Sequence, residues 1–523
     1  MPIEEALSFA GVVARRAERR PGDEVVRLVG SPGWSAAALW QRSLAIAGGL
    51  AGLVDTGGTV ATSLPPGPEA IAVTTAISAL GAVEMPLGAD VGEPWARTLA
   101  AATGCVTTVT TTGAVRDSPF LGRLGCHRTA PLITVDGPGP GAVPLDELIA
   151  AGRPVAPRRR GPGDPALVMT TSGTTGRVKG ALLPVAAGPG QATRVQRAMR
   201  YDAGDVLYNF FPWQHINARH AGFLPAVLGG ARLVIGERFS ASRFVDIVRA
   251  EGVTAFNFMG AVCAMLLSRP PAAGDRDHRV RRAYGGPAPA ALVHAMRERF
   301  GVTLLQAYAC TELGDVATTA VGDLRPGAAG RPVPEYRLRV VDPAGADVPA
   351  GQTGELLVRP ERPHLTFTGY AGDPEAGARA WRDGWFRTGD RVRLDAGWLY
   401  FEGRSADVVR RRGINISPDM VEEAIASMPG VAEVAVVGVP SELTEDDVLA
   451  VVVPAAAGAI DPARVRRHCI GRIPEYALPR YVSIQSSLPR TASLKVSREA
   501  LRRRGLPADA WDAESDRIAP EAR

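Results

Sequence analysis

Short apolar runs and stretches of helical period alternate between residues 165 and 310, and this alternation restricts the fold more than any other feature of the sequence. ALVMTT, DVLYNFF, ARLVIG, the helix-like SRFVDIVRAEG, VTAFNF, AVCAMLLS, PAALVHAMRERFG and VTLLQAY follow one another with little between them. Strands separated by helices join as parallel neighbours, so the order predicts βα units and a mostly parallel sheet. Residues 30–110 give a weaker version, with helix-like AAALWQRSLAIAGGLAGL, then TVATSL and EAIAVTTAISALGAV. After about residue 330 the texture changes to short strands and turns, including RVRL-DAG-WLYFEG, which reads as a hairpin. Beyond Gly403 a small α/β unit is expected, in which Ser417 caps and Pro418 begins the helix PDMVEEAIASM, ahead of the strand VAEVAVVGV. The Pro- and Gly-rich stretch 136–164 reads as a surface excursion.

A chain of 523 residues exceeds one ordinary domain, so more than one core is expected. Hydrophobic residues make up 46% and charged residues 22%, which excludes a disordered chain. No apolar run reaches the 18 residues of a membrane span, and Glu4 and Glu5 precede the first apolar patch, the wrong charge order for a secretory signal. A cytoplasmic protein is expected. Five scattered cysteines without a CxxC pair argue against a disulfide framework and a zinc site. The net charge of +5 is a small imbalance between 59 basic and 54 acidic residues, and the arginine clusters at 158–160, 410–412 and 502–504 have no interleaved aromatics. Nucleic acid is therefore not expected as a partner. Only two of the basic residues are lysines, Lys179 and Lys495, so lysine is kept where arginine would not serve.

Lys179 ends the run Thr170-Thr171-Ser172-Gly173-Thr174-Thr175-Gly176-Arg177-Val178-Lys179-Gly180, directly after the apolar ALVM. Glycines and small hydroxyl residues leave backbone N–H groups and hydroxyls free to wrap phosphate oxygens, and a lysine adds compact positive charge. The glycine spacing is not that of a Walker A loop, and Gly180 stands where that loop has its magnesium-binding hydroxyl.

This run resembles the phosphate loop of the adenylate-forming superfamily: acyl-CoA synthetases, nonribosomal adenylation domains and firefly-type luciferases. Further segments resemble that family's motifs in its order. They are Ala283-Tyr284-Gly285-Gly286-Pro287, Ala307-Tyr308-Ala309-Cys310-Thr311-Glu312, Trp385-Phe386-Arg387-Thr388-Gly389-Asp390, Gly403-Arg404-Ser405-Ala406-Asp407, and Pro489-Arg490-Thr491-Ala492-Ser493-Leu494-Lys495. The resemblance implies layered α/β sheets with a small β-rich part in a large N-terminal region, residues 1–403, and a small mobile α/β domain, residues 404–523, that delivers Lys495. It also implies ATP, Mg2+ and CoA as the co-substrates and cofactor of an acid-activating ligase.

By resemblance, Thr171, Ser172, Gly173, Thr174, Thr175 and Gly176 hold phosphates with Lys179. Gly285 and Gly286 lie beside adenine, Tyr308 packs on it, Thr311 touches the α-phosphate and Glu312 holds magnesium. Asp390 takes the ribose hydroxyls, Arg404 lies near ribose and phosphates, and Lys495 bridges the carboxylate and α-phosphate. The chemistry suits these residue types, because attack of a carboxylate on phosphorus builds charge on phosphate oxygens. A bridging point charge is lysine's role rather than that of a planar guanidinium.

The segment Phe210-Phe211-Pro212-Trp213-Gln214-His215-Ile216-Asn217 resembles the family's pocket entrance. Trp213, His215, Asn217, Tyr284 and Ala307 are the expected acid pocket, for a small acid, aryl or unsaturated. Three departures stand out: Ala309 and Leu494 replace glycines, and Ala406 replaces a polar hinge residue. Ala406 and Leu494 leave open an acceptor other than CoA, such as a carrier protein, an amine, or nitrite chemistry on an aryl amine as in ATP-dependent diazotases. A non-catalytic nucleotide-binding homologue is the remaining alternative.

Overall fold

A computed structural model describes residues 8–88, 91–124, 131–172, 178–404, 408–411, 414–441, 446–455, 460–491 and 494–515. Its large N-terminal region is layered α/β, and a small α/β domain follows. One sheet of nine strands has the spatial order Arg331–Pro332, Gly314–Thr318, Thr303–Cys310, Arg282–Gly285, Ala255–Phe258, Val206–Asn209, Arg232–Ile235, Glu24–Leu28 and Trp34–Ser35. Its six inner strands are parallel and its two ends antiparallel. The helices Phe244–Ala250, Gly260–Leu267 and Ala290–Phe300 make the crossovers that the alternating sequence required.

ALVMTT, however, does not join this sheet. It forms Pro165–Ser172, which pairs antiparallel with Val178–Pro184 and closes a second, seven-stranded sheet with Ala142–Pro144, Leu132–Thr134, Cys105–Thr110, Thr59–Ser63 and Val83–Pro86. Five residues separate the two hairpin strands' facing ends, Ser172 opposite Val178, so this strand has a local antiparallel partner on one side and a parallel one, Val83–Pro86, on the other. The stretch 136–164 is less irregular than its composition suggested. Ala142–Pro144 supplies an edge strand, and Leu145–Ala151 is a helix whose Leu145 is buried in the large core beside the helix Ala36–Leu50.

A third sheet, all antiparallel, contains Tyr336–Val341, Thr353–Pro360, Trp381–Arg382, Trp385–Asp395 and Trp398–Arg404. Its last two strands are the expected hairpin. Ala396 and Gly397 both have positive φ, 48° and 76°, the conformation that a two-residue turn between right-twisted strands requires.

Past residue 404 the strands Val431–Pro440, Asp446–Pro454, Tyr481–Ile484 and Trp511–Asp512 form one sheet. Val436, Val448, Ala450, Val452 and Val482 face one buried cluster, while Val437, Val439, Leu449, Val451 and Tyr481 face another. Both faces are covered, which explains near-continuous apolar runs in place of alternation. The described residues of both clusters all come from 409 onwards. Ser417 stands at the N-cap of Pro418–Ala426 but does not cap it: its hydroxyl donates to Glu402 O at 2.9 Å, tying the helix to the preceding strand. Among the described residues, no helix is long and apolar enough to cross a membrane.

Candidate active site

Residues 173–177, with Gly173, Thr174, Thr175 and Gly176, lie outside the described residues, as do Ala406 and the side chains of Ser172 and Arg404. The strand Val178–Pro184 carries Lys179, whose Nζ lies 4.8 Å from the centre of the Tyr370 ring. The Tyr370 hydroxyl donates to Glu312 Oε1 at 2.8 Å. Burial, and then the Glu312 charge, pushes this hydroxyl's pKa far up, so it stays protonated and donates. Lys179 and Glu312, 133 positions apart in sequence, are thus joined through one tyrosine that the motif reading did not single out.

Glu312 and Thr311 occupy the turn between Thr303–Cys310 and Gly314–Thr318. At the end of the first strand, the Cys310 thiol is held neutral by burial and by Glu312 and Asp390. Two residues earlier, the buried Tyr308 hydroxyl donates to Asp390 Oδ2 at 2.6 Å. Asp390 sits on the third sheet, opposite Arg404 in register. Ala309, in place of a glycine, has no positive φ and pairs with Asp315 directly after a register shift in the ladder, so the methyl group is accommodated.

Gly285 ends the strand beside Ala255–Phe258, and a Cβ there would lie 1.8 Å from Phe258 O. Only glycine permits that approach. Gly286 has φ +145° and lies against Ala307 O, which sets the glycine pair next to Ala307 and hence Tyr308. Tyr284 is fully buried and close to Asp315; burial, then Asp315, raises its hydroxyl pKa. Asp315 itself is pushed up to about 6 by burial, against the pull of Arg194.

The entrance segment runs from Phe210 into the short helix Ile216–Ala218 and a π-helical turn, Arg219–Phe223. His215 Nδ1 accepts from Asn217 N at 3.2 Å, which leaves the proton on Nε2. Burial first, and then the Lys495 ammonium, pushes the His215 pKa down to about 3. The charge of the terminal lysine is therefore felt at the entrance histidine. Beside that lysine, Leu494 has φ +66° and packs against the large N-terminal core. Asn217 Oδ1 accepts from Asn209 Nδ2 at 3.2 Å and from Asn257 Nδ2 at 2.8 Å, an amide relay that fastens the segment to two strands.

Trp213 stands apart from the other expected pocket residues. It is a core residue, with its ring against Phe9 and Phe223 and Nε1 donating to Thr74 Oγ1 at 2.9 Å. Its carbonyl accepts from Arg219 Nε at 2.6 Å, and Arg219 makes a two-pronged ion pair with Glu84, both contacts 2.7 Å. Sequence reasoning missed Glu84 and Arg219; an ionisable residue inside an apolar run, as in GAVEMPLG, was the available signal. Glu312 is the carboxylate joined to Lys179 through Tyr370. A single carboxylate suits Mg2+, which binds through one or two carboxylates together with substrate phosphates.

Residues 13–371 match the family model described as AMP-binding enzyme, and residues 420–495 match the AMP-binding enzyme C-terminal domain. The chain belongs to the AMP-binding enzymes. Within that adenylate-forming superfamily it is of the acyl-CoA ligase type. The chain is 33% identical over 447 residues to an indoleacetate–CoA ligase of Aromatoleum aromaticum, covering 83% of this chain and 86% of the relative. It is 32% identical over 372 residues to a sulfoacetate–CoA ligase of Cupriavidus necator, covering 70% and 72%. The ATP-bound MatB structure from Rhodopseudomonas palustris superposes with a TM-score of 0.85 at 26% identity, over 95% of this chain and 98% of that one.

Proposed function

We propose that this AMP-binding enzyme activates a small carboxylic acid, aryl or unsaturated, as its acyl adenylate and then transfers the acyl group to CoA. In the first step a carboxylate oxygen attacks the α-phosphorus of ATP, a P–O bond forms, and the bond to pyrophosphate breaks. In the second the CoA thiolate attacks the acyl carbon, and AMP leaves as the C–O bond breaks. The observation that carries the reading is the packing of Leu494, next to Lys495, against the large N-terminal core.

In this reading Lys495 and Lys179 balance charge on the phosphates as attack proceeds, and Thr311 hydrogen-bonds the α-phosphate. Neutral His215 offers its Nε2 proton to the acid's carboxylate and orients it. Tyr308 and Asp390 hold the nucleoside, with Gly285 and Gly286 leaving room for the base. Mg2+, bound through Glu312, would neutralise phosphate charge. Residues 404–523 act as a mobile unit that withdraws Lys495 after adenylation; their separate pair of cores supports this. An aryl acid is favoured by the indoleacetate–CoA relative.

A second reading, an acceptor other than CoA, is favoured by Leu494, since a left-handed leucine anchored on the large core resists the rearrangement that transfer needs. Pyrophosphate exchange across a panel of acids, followed by mass identification of products with CoA, an amine or nitrite, decides between them. Acid-dependent exchange and an acyl-CoA product are expected. Exchange with no acid in a broad panel would remove the proposal.

A further inference from the structure

Tyr370 touches both charged partners of the nucleotide side, and its backbone explains how. Residues 368–371 run alongside the lysine-bearing strand: Thr368 N donates to Leu182 O, Leu182 N to Gly369 O, and Ala371 N to Gly180 O, at 2.8, 2.9 and 2.8 Å. That ladder puts the Tyr370 ring under the Lys179 ammonium. The same segment reaches the Glu312 turn, where Phe367 N donates to Glu312 O at 2.7 Å and the Tyr370 hydroxyl takes Glu312 Oε1. The residue is 8% exposed and its ring lies tilted against that of Phe367, centroids 4.9 Å apart, so it has little freedom to leave.

A hydrogen bond on one carboxylate oxygen takes one of that oxygen's two lone pairs and fixes the orientation of the group, so the other oxygen is the one that meets a cation without competition. Among the described residues, the Tyr370 hydroxyl is the hydrogen-bond partner of the Glu312 side chain, and it is on Oε1 alone. Mg2+ requires near-octahedral geometry and takes carboxylates through a single oxygen while keeping waters, whereas the larger Ca2+ accepts a carboxylate through both. An oriented second partner of this kind tunes a metal site as strongly as its ligands do.

We propose that Tyr370 is a positioning residue that restricts Glu312 to one-oxygen metal binding, and so makes the site select Mg2+ over Ca2+ for the bound nucleotide, while its ring face fixes the Lys179 ammonium. The inference rests on the reading of Glu312 as the metal-binding residue. Tyr370→Phe keeps the ring under Lys179 and removes the hydroxyl; Tyr370→Leu removes both.

Calorimetric titration of the full chain with ATP, without acid, in Mg2+ alone, in Ca2+ alone and in EDTA, separates the two contributions. In Tyr370→Phe the ratio of Mg2+-supported to Ca2+-supported ATP affinity falls about tenfold, within the range for lost second partners of metal ligands, while the affinity in EDTA is unchanged. In Tyr370→Leu the affinity in EDTA falls as well. In a Glu312→Gln background, Tyr370→Phe no longer changes the ratio, as a double-mutant cycle requires of coupled residues. A ratio within twofold of the parent in Tyr370→Phe, or equal losses with both cations, overturns the role of Tyr370 alone. If the parent chain binds ATP equally well with and without either cation, the reading of Glu312 falls and takes this inference with it.

Discussion

Glu84 and Arg219 are 3% and 2% exposed, and no surface water screens them from each other. Glu84 Oε2 accepts from Arg219 Nη1, and Oε1 accepts from Arg219 Nη2, Thr62 Oγ1 and Thr74 Oγ1, at 2.7, 2.7 and 3.2 Å. Glu84→Gln preserves shape but turns an NH2 group toward donors and leaves the Arg219 charge buried without its counter-ion. Breaking a buried pair in this way costs about 3–5 kcal/mol. Removing both partners costs much less, because apolar replacements of similar shape leave no stranded charge. Glu84→Met combined with Arg219→Met is therefore expected to be more stable than Glu84→Gln alone. Urea unfolding followed by far-UV circular dichroism, with midpoints compared at a common slope, measures both. Since Arg219 also holds the Trp213 carbonyl two residues before His215, Glu84→Gln should raise KM for the acid more than KM for ATP. A shift of under about 1 kcal/mol, or losses that simply add in the double variant, would refute the reasoning.

Lys495→Ala is expected to slow acid-dependent pyrophosphate exchange by about 10²–10³-fold while equilibrium dialysis finds ATP affinity nearly unchanged. Tyr308→Phe removes the hydroxyl donor to Asp390 and should raise KM for ATP about tenfold, as loss of a charge-assisted bond does, with little change in KM for the acid. His220 is buried beside Arg219 and Arg194, and burial first lowers its pKa to about 3. The unfolded chain binds its proton below about pH 6.5 and the folded chain does not, so stability falls with pH through the window from 6.5 toward 3, by about 2 kcal/mol at pH 5. Melting at pH 7 and 5 should show a smaller drop for His220→Gln than for the parent. Leu494→Gly relieves a left-handed leucine, worth about 1–2 kcal/mol, and frees the loop from the core. The rate of transfer to acceptor should rise a few-fold relative to exchange, measured side by side.

The sequence made the glycine pair, the hairpin at 396–397 and the parallel crossovers legible because each is written in consecutive residues. What it hid depends on distance along the chain. Tyr370 meets Glu312 across 58 residues, Arg219 meets Glu84 across 135 and Asn257 meets Asn217 across 40; a lone tyrosine or arginine carries no local sign of such a partner. Periodicity identified Pro165–Ser172 as a strand but could not say which sheet would receive it, since both sheets offer an apolar surface. Ser417 had the residue type and place of a cap, and a carbonyl from the preceding strand took its hydroxyl instead.

The strand Glu24–Leu28 pairs in parallel with Arg232–Ile235, Val26 opposite Leu233. A ribosome that has just released the first of these strands must add roughly 200 more residues before its neighbour exists, a wait of roughly 10–40 s at 5–20 residues per second. Throughout that interval the only native strand partner of Val25 and Val26 among the described residues is the two-residue strand Trp34–Ser35, and the rest of the sheet that will receive them is still being synthesised. Synthesis speed through residues 30–230 therefore bears directly on yield. Codon choices or chaperones that shorten or shelter this exposure should matter most in that stretch, and least after residue 404, where the strands that pair lie within about 50 residues of one another.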